Sequence, residues 1–166
     1  MTHSVRIALA GLLFACAWAS SLKGAVDLTN GLVGHWKFDE SSGTTAADSS
    51  GNNRTGTLMN MANDRPSGKL SFGLNFDGAN DYVDITGYKG VTGTAARSVS
   101  VWFKTNQAGN CLTGWGTSSS GKSHRLWLHS GKPRLEHAGG MHRTSSAYNN
   151  NAWRHLVVTQ PATTTL

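Results

Sequence analysis

The sequence lacks any stretch in which apolar residues recur every three to four positions for three turns, so it offers no candidate helix in the mature chain. It also lacks an apolar run long enough to span a bilayer, because the one at residues 7–18 is too short. The chain consists instead of many short segments, about ten residues apart, separated by Gly, Ser, Asn and Asp. This organisation excludes a helical bundle and argues against membrane insertion.

Residues 1–25 read as a secretory signal peptide and a short linker rather than as part of the domain. Arg6 supplies a positive start, the apolar run follows, and Ala17-Trp18-Ala19 fits a small-x-small cleavage site, with cleavage expected after Ala19. A lipid anchor on Cys16 is disfavoured because Phe14 stands where that signal requires a small residue. The sequence therefore predicts one domain, residues 26–166, that is secreted or located at the cell surface or in a periplasm.

Cysteine is almost absent. The chain has two, and removal of the signal peptide leaves Cys111 alone, so no internal disulfide can form. We expect Cys111 to be a small buried apolar residue, with an intermolecular bridge as the alternative.

Acidic residues are scarce in the second half of the chain. Residues 20–96 hold six Lys or Arg against eight Asp or Glu, whereas residues 97–166 hold eight against Glu136 alone. One surface of the second half could face an anionic partner such as sulfated or uronic-acid polysaccharide, the alternative being a solvated basic face without a partner. Nucleic acid is the third choice, because export removes the chain from the compartment that holds most of it.

Alternating apolar residues predict strands throughout the mature chain. The organising element is expected at residues 72–85, as a hairpin in which Phe72, Leu74 and Phe76 precede a turn at Asp77-Gly78 and a second strand follows. The clearest single strand is at residues 97–105. Further strands are predicted at residues 31–38, 57–61, 112–116, 123–129, 133–137 and 153–159, with turns at Gly121 and Ser130-Gly131. The fold class is therefore all-β, as a sandwich or barrel.

Two tryptophans differ in their surroundings from the rest. Trp127 shares a strand face with Arg125 and His129, while its neighbours in sequence, both leucines, point the other way. An outward Trp among cations suits sugar binding, since the ring packs on pyranose C–H groups while Arg and His bond to hydroxyls or carboxylates. Trp115, in a glycine-rich segment, joins this predicted ligand set. The alternative is that the Trp127 face is the inner one; for Trp36, Trp102 and Trp153 we expect core packing.

Several ordered segments together resemble the laminin G-like jelly-roll domains of the concanavalin A-like lectin/glucanase superfamily. The matching segments are Gly31-Leu32-Val33-x-x-Trp36-x-Phe38-Asp39-Glu40, Ser42-Gly43-Thr44-x-Ala46-x-Asp48-x-Ser50-Gly51-Asn52, Gly56-Thr57-Leu58, Phe76-Asp77-Gly78-x-x-Asp81-Tyr82-Val83, Ser98-Val99-Ser100-Val101-Trp102-Phe103-Lys104 and Trp153-x-His155-Leu156-Val157-Val158-Thr159. The resemblance implies a two-sheet antiparallel jelly-roll sandwich. It also implies a secreted or cell-surface module that binds carbohydrate or protein.

The resemblance further implies a calcium ion, with Asp39, Asp48 and Asn52 at the matching positions. A hard cation takes six to eight oxygens, which these residues and nearby carbonyls could supply. Local capping of turns by Asp and Asn is the alternative. The cluster of Asp77, Asp81 and Asp84 is the next candidate, because three close carboxylates repel one another unless solvated or neutralised.

Two departures from the family pattern stand out. A turn and further strands usually follow the last matching segment, but here Gln160-Pro161-Ala162 leads to Leu166, so we expect the domain to lack its last strands at the C-terminal end. Asn53-Arg54 also replaces the usual Gly-Asn, which puts a ligand role for that loop in doubt.

Catalysis is not expected. The chain has only Glu40 and Glu136 as glutamates, and neither lies in the Glu-x-Asp-x-x-Glu strand motif of the related glycosidases. No Gly-x-Ser-x-Gly elbow occurs either. The sequence thus favours a non-catalytic module that binds extracellular polysaccharide or a cell-surface glycoprotein. The alternative is a structural or adhesion module that assembles through an open sheet edge without binding sugar.

Overall fold

The structure, a computed structural model, describes residues 29–117, 123–137 and 140–162. The predicted signal peptide and the predicted turn at Gly121 lie outside these residues. The chain divides after Leu32; of the first unit only residues 29–32 are described, a turn in which Leu32 N–H donates to the Thr29 carbonyl over 3.0 Å. Every strand described below belongs to the second unit. No helix among the described residues has the length and apolarity that a membrane span needs.

The first sheet is small and antiparallel, and contains β1 (Thr45–Ala46), β2 (Gly56–Met59) and β3 (Tyr82–Asp84) in that order. Leu58 lies opposite Val83, and the buried residues Ala46 and Leu58 form its contribution to the core.

The second sheet is the pair of β4 (Arg97–Phe103) and β9 (Arg154–Gln160), which run antiparallel over seven residues each. The strands alternate as the sequence predicts: Val99, Val101 and Phe103 are the more buried residues of β4, whereas Ser98 and Ser100 are exposed. We refer to this element as the β4–β9 pair.

The third sheet, the large sheet, contains β5 (Cys111–Gly116), β6 (Ser123–His129), β7 (Lys132–His137) and β8 (Gly140–Arg143), in chain order and antiparallel. The predicted Ser130-Gly131 turn joins β6 to β7. Both residues have positive φ, 52° and 73°, which is the backbone of a type I′ turn and matches the right-handed twist of the strands it connects.

The inner face of the large sheet carries half of the buried hydrophobic residues that form the core of the described chain. Leu126, Leu128 and Leu135 are buried. Leu126 and Leu135, together with Leu156 and Val158 of β9, line a cavity of about 570 Å³. The described chain is thus all-β and antiparallel, without a helix, as the sequence predicts.

The predicted hairpin at residues 72–85 is wrong. Only its second half is a strand, and β3 pairs with β2 instead. Phe72 forms an isolated bridge with Ser67, and Gly73 N–H donates to the Pro66 carbonyl over 3.0 Å. Asp77 N–H likewise donates to the Asp81 carboxylate over 2.9 Å. The backbone N–H groups of Gly73 and Asp77 are therefore not available to a strand partner.

The predicted strand at residues 31–38 is reduced to one bridge between Trp36 and Asp48. Its alternation is nevertheless present: Val33, His35 and Lys37 are exposed, and the residues between them are half-buried. The positive φ of Phe38, 58°, ends the extended run. Strand β8 was not predicted from the sequence.

Two burial expectations are wrong. Cys111 is exposed rather than buried. A bulge between Cys111 and Thr113 shifts the register of β5 at this point, and Cys111 faces Trp127 across the strands. Trp102 is 46% exposed, because the alternation of β4 places it on the face opposite Phe103.

Candidate functional site: a cationic face on the large sheet

The alternation of β6 fixes which residues reach the surface. Leu126 and Leu128 are 1% and 0% exposed, so the residues between them point to the other side of the sheet. Arg125 and His129 are exposed and Trp127 is half-buried. The structure therefore brings these three predicted ligand residues together on the side of the sheet away from the leucine core.

The neighbouring strands extend this face. Arg125 lies opposite Glu136 and Trp127 opposite Arg134, while His129 lies opposite Lys132. Arg134 in turn lies opposite Arg143 on β8. Residues directly opposite in an antiparallel pair share a face. We call this surface the cationic face, and its members are Arg125, Trp127, His129, Lys132, Arg134, Glu136, Met141 and Arg143.

Trp127 lies at the centre of the cationic face beneath two guanidinium groups. The Cζ atoms of Arg125 and Arg134 are 4.9 and 5.1 Å from its ring centroid, within the range of a cation–π interaction. The His129 ring is tilted against it at 5.4 Å. The indole N–H of Trp127 is buried without a hydrogen-bond partner.

Glu136 holds both guanidinium groups in place. Its carboxylate accepts a hydrogen bond from Arg125 Nη2 at 2.5 Å and forms an ion pair with Arg134 Nη2 at 2.9 Å. The hydrogen bond from Arg125, together with the charges of Arg125, Arg134 and His129, holds the pKa of Glu136 below its usual value. Glu136 is therefore ionised at neutral pH, and the face carries four Lys or Arg against this one carboxylate.

Trp115, the fourth predicted ligand residue, is not part of the cationic face. Its strand position lies opposite His124, on the leucine side. The two rings stack at 4.2 Å with an interplanar angle of 6°, and the indole N–H donates to the Val91 carbonyl over 3.1 Å. Gly90 leaves room for this ring, because a Cβ there would lie 2.4 Å from it.

His124 is a buried histidine, 3% exposed, with no hydrogen-bond partner at either ring nitrogen. Burial, with the positive charge of Arg97 and the proximity of His137 adding, lowers the pKa of His124 to about 4. Its ring is neutral at pH 7 and serves packing against Trp115 rather than charge.

Asp48 of the predicted calcium set is a turn cap in this structure. Oδ1 accepts from the backbone N–H groups of His35 and Ser50, both at 2.9 Å. Oδ2 accepts from the Ser50 hydroxyl at 2.8 Å and from Arg54 N–H at 3.0 Å. Partial burial would raise the pKa of the carboxyl, but these hydrogen bonds lower it well below its usual range.

The other predicted calcium ligands make separate contacts. Asp39 pairs with Lys37 at 4.0 Å, and the Asn52 amide donates to the Ser50 hydroxyl over 3.0 Å. Within the described ranges, no three His, Cys, Asp or Glu side chains form a group that could hold a metal. The contacts of Asp48 and Asn52 are those of the capping alternative.

The Asp77, Asp81 and Asp84 cluster is organised by local hydrogen bonds. Asp77 Oδ1 accepts from Ala79 N–H at 2.7 Å, and Asp84 Oδ2 accepts from the Thr86 hydroxyl at 2.7 Å.

The β4–β9 pair presents a second exposed aromatic surface that sequence reasoning missed. Trp102 stacks on His155 at 4.7 Å, Lys69 Nζ lies 5.2 Å from its ring centroid, and the Ser100 hydroxyl is 2.8 Å from His155 Nε2. The alternation of residues 97–103 already contained the signal, since it separates Trp102 from the valines. The roles of Arg134 and Glu136 had no such signal, because they depend on the pairing of β6 with β7.

Comparisons with known proteins bear on the fold alone. No protein-family model and no curated protein matches the chain. A crystal structure of an S-layer domain-containing protein from Clostridium thermocellum is similar, with a TM-score of 0.50 and 20% sequence identity, over 76% of this chain and 67% of that one. At this identity the likeness supports a shared all-β fold and carries no residue role across.

Proposed function

We propose that this chain is a secreted or cell-surface β-sandwich module, of jelly-roll type, that binds extracellular carbohydrate or a cell-surface glycoprotein and catalyses no reaction. The observation that carries the proposal is the cationic face, where Arg125, Trp127 and His129 gather on the side of the large sheet away from its core. Aromatic and polar groups that converge on one surface are what carbohydrate recognition requires.

Two further observations support the architecture and the location. One cavity is lined by the inner face of the large sheet and by β9, as expected if two layers pack face to face. The similar solved structure is described as an S-layer domain-containing protein, which is compatible with an extracellular setting for this chain. Calcium binding at Asp39, Asp48 and Asn52 stays a prediction.

Trp127→Ala tests the binding function, with Trp102→Ala as the matched control. Both substitutions remove a partly exposed tryptophan from a strand, but Trp102 lies on the β4–β9 pair. We expect the parent protein and Trp102→Ala to bind the same glycans on an array and Trp127→Ala to lose them. Equal binding by all three proteins would exclude the cationic face, and a silent array with the parent would remove carbohydrate as the ligand.

The alternative function is a structural or adhesion module that assembles through an open sheet edge. It is favoured by the β4–β9 pair, whose strands pair only with each other among the described residues. Val157 on this pair is 52% exposed. A strand with unpaired N–H and C=O groups and exposed apolar side chains is a template for another chain.

Sedimentation over a range of protein concentrations separates the two functions. Assembly through the β4–β9 pair predicts concentration-dependent association that Val157→Lys abolishes and His129→Lys, on the cationic face, leaves intact. If the protein is a monomer at all concentrations and the glycan array is positive, the assembly function is excluded and the binding function remains.

A further inference from the structure

The tryptophan at the centre of the cationic face is covered by charge. The guanidinium groups of Arg125 and Arg134 lie 4.9 and 5.1 Å from the Trp127 centroid, and the residue is only half-exposed. A neutral pyranose that stacked on the indole would have to displace these groups. Planar guanidinium groups stack well on aromatic rings. The indole face of Trp127 is therefore already in contact with two cations and is not a free apolar surface.

The same region has more hydrogen-bond donors than acceptors. Each guanidinium has five N–H donors. Glu136 accepts a hydrogen bond from Arg125 Nη2 and forms an ion pair with Arg134 Nη2. Glu136 is the only carboxylate on this face, so a complementary ligand is one that brings acceptor oxygens and negative charge.

The cations also form a row across the strands. Trp127 lies opposite Arg134, which lies opposite Arg143, and neighbouring strands are about 4.8 Å apart. Lys132 on β7 and Arg125 on β6 lie in the rows on either side. Arg125, Lys132 and Arg143 therefore each lie within about 10 Å of Arg134 at the backbone, a spacing that suits a linear polymer with repeated anionic groups better than a single small anion.

We propose that the cationic face binds a polyanionic polysaccharide, with sulfate or carboxylate groups on Arg125, Arg134 and Arg143. The proposal deepens the proposed function and rests on it. The ligand class follows from the four cations, the surplus donors and the guanidinium cover on the indole. Glu136 both positions the two arginines and competes with the ligand for them.

The experiment measures binding of heparin and polygalacturonate, with dextran as the neutral polymer, by titration calorimetry on the purified protein. We expect both anionic polymers to bind, more weakly as NaCl rises from about 50 mM to about 200 mM, and dextran not to bind. Dextran binding as tight as that of heparin and insensitive to salt would overturn this inference and leave the proposed function standing. If glycans bind on the array but neither heparin nor polygalacturonate binds in the calorimeter, the polyanion inference is overturned and the proposed function stands.

Charge-matched variants locate the site. Arg134→Gln and Arg143→Gln are expected to weaken heparin binding about tenfold each. Lys104→Gln removes the same charge beyond the end of β4 and is expected to bind as the parent does. Equal losses in all three variants would show a response to net charge alone and overturn the assignment of the face. Thermal unfolding of each variant confirms that it is folded.

Glu136→Gln gives a readout with the opposite sign. The substitution keeps the shape of the side chain and removes the competing charge, so we expect about threefold tighter heparin binding at low salt. Weaker binding would contradict the competing role of Glu136. Duplex DNA serves as a last comparison: tighter binding of DNA than of heparin at the same salt concentration would overturn polysaccharide as the ligand class.

Discussion

At the scale of single residues, Asp48 shows how one carboxylate can organise a loop. It joins residues distant in sequence, since His35 and Arg54 both donate backbone N–H groups to it, and Ser50 donates twice. We expect Asp48→Ala to lower the free energy of unfolding by about 2 kcal/mol, because several donors lose a charged acceptor at once. Chemical denaturation measures this value. Asp64→Ala is the control, since Asp64 accepts one long bond of 3.4 Å from Asn75, and a loss as large in the control would contradict the capping role.

Calcium can be tested on the same variant. An ion that binds only the folded state raises the melting temperature as its concentration increases. A melting temperature that is unchanged between millimolar calcium and a chelator would remove the ion from Asp39, Asp48 and Asn52. A shift that survives in Asp48→Ala would move the ion elsewhere, with the Asp77, Asp81 and Asp84 cluster next to be tested.

Single residues also show where sequence reasoning fails. Trp102 was expected in the core because the family places a strand there, although the alternation of β4 points it outward. Cys111 was expected to be buried because cysteines usually are, but a bulge that no local pattern predicts places it at the surface. Composition and resemblance are weaker guides to one side chain than periodicity is.

At the scale of secondary-structure elements, β6 was predictable because two requirements agree. Its residues alternate strictly, and the Ser130-Gly131 turn fixes the register to β7. We expect Leu126→Ala to lower the free energy of unfolding by about 3 kcal/mol, because a fully buried side chain leaves a cavity. His129→Ala, on the exposed side of the same strand, is expected to change it little. Denaturant titration of both variants tests this, and similar losses would contradict the assignment of faces.

The segment at residues 72–76 alternates as regularly as β6 does but forms no strand. Its backbone donors have local partners: Gly73 N–H bonds to Pro66, and Asp77 N–H bonds to the Asp81 side chain. Alternation predicts which face of an extended segment is apolar, but pairing depends on residues far away in sequence. For the same reason the Arg125, Trp127 and His129 group was predictable, while the addition of Arg134 and Glu136 required the structure.

At the scale of the whole molecule, the uneven distribution of charge becomes a property of one sheet. The carboxylates lie almost entirely before residue 97. The large sheet, built after that point, gathers its cations on one side because Arg125, Lys132 and Arg134 occupy alternate positions on paired strands. Their side chains therefore share a face, and the positive charge of the second half of the chain is concentrated on the cationic face.

The opposite side of the large sheet makes global stability depend on pH through His124. Trp115 of β5 stacks on it, Arg97 of β4 and His137 of β7 lie close enough to disfavour its charge, and His142 of β8 stacks on His137. Burial and these neighbours lower the pKa of His124 from 6.5 to about 4 in the folded state. Between these values the unfolded chain binds more protons than the folded one. Stability is therefore complete above the unfolded pKa and is lost as the pH falls toward 4.

We expect this loss to be at most about 3 kcal/mol across that window. His124→Phe keeps a ring against Trp115 but cannot titrate, so its stability should fall less steeply than that of the parent between pH 6.5 and 4. Denaturant titration at several pH values measures the two slopes. Identical slopes for the parent and His124→Phe would mean that the buried imidazole does not carry the pH dependence.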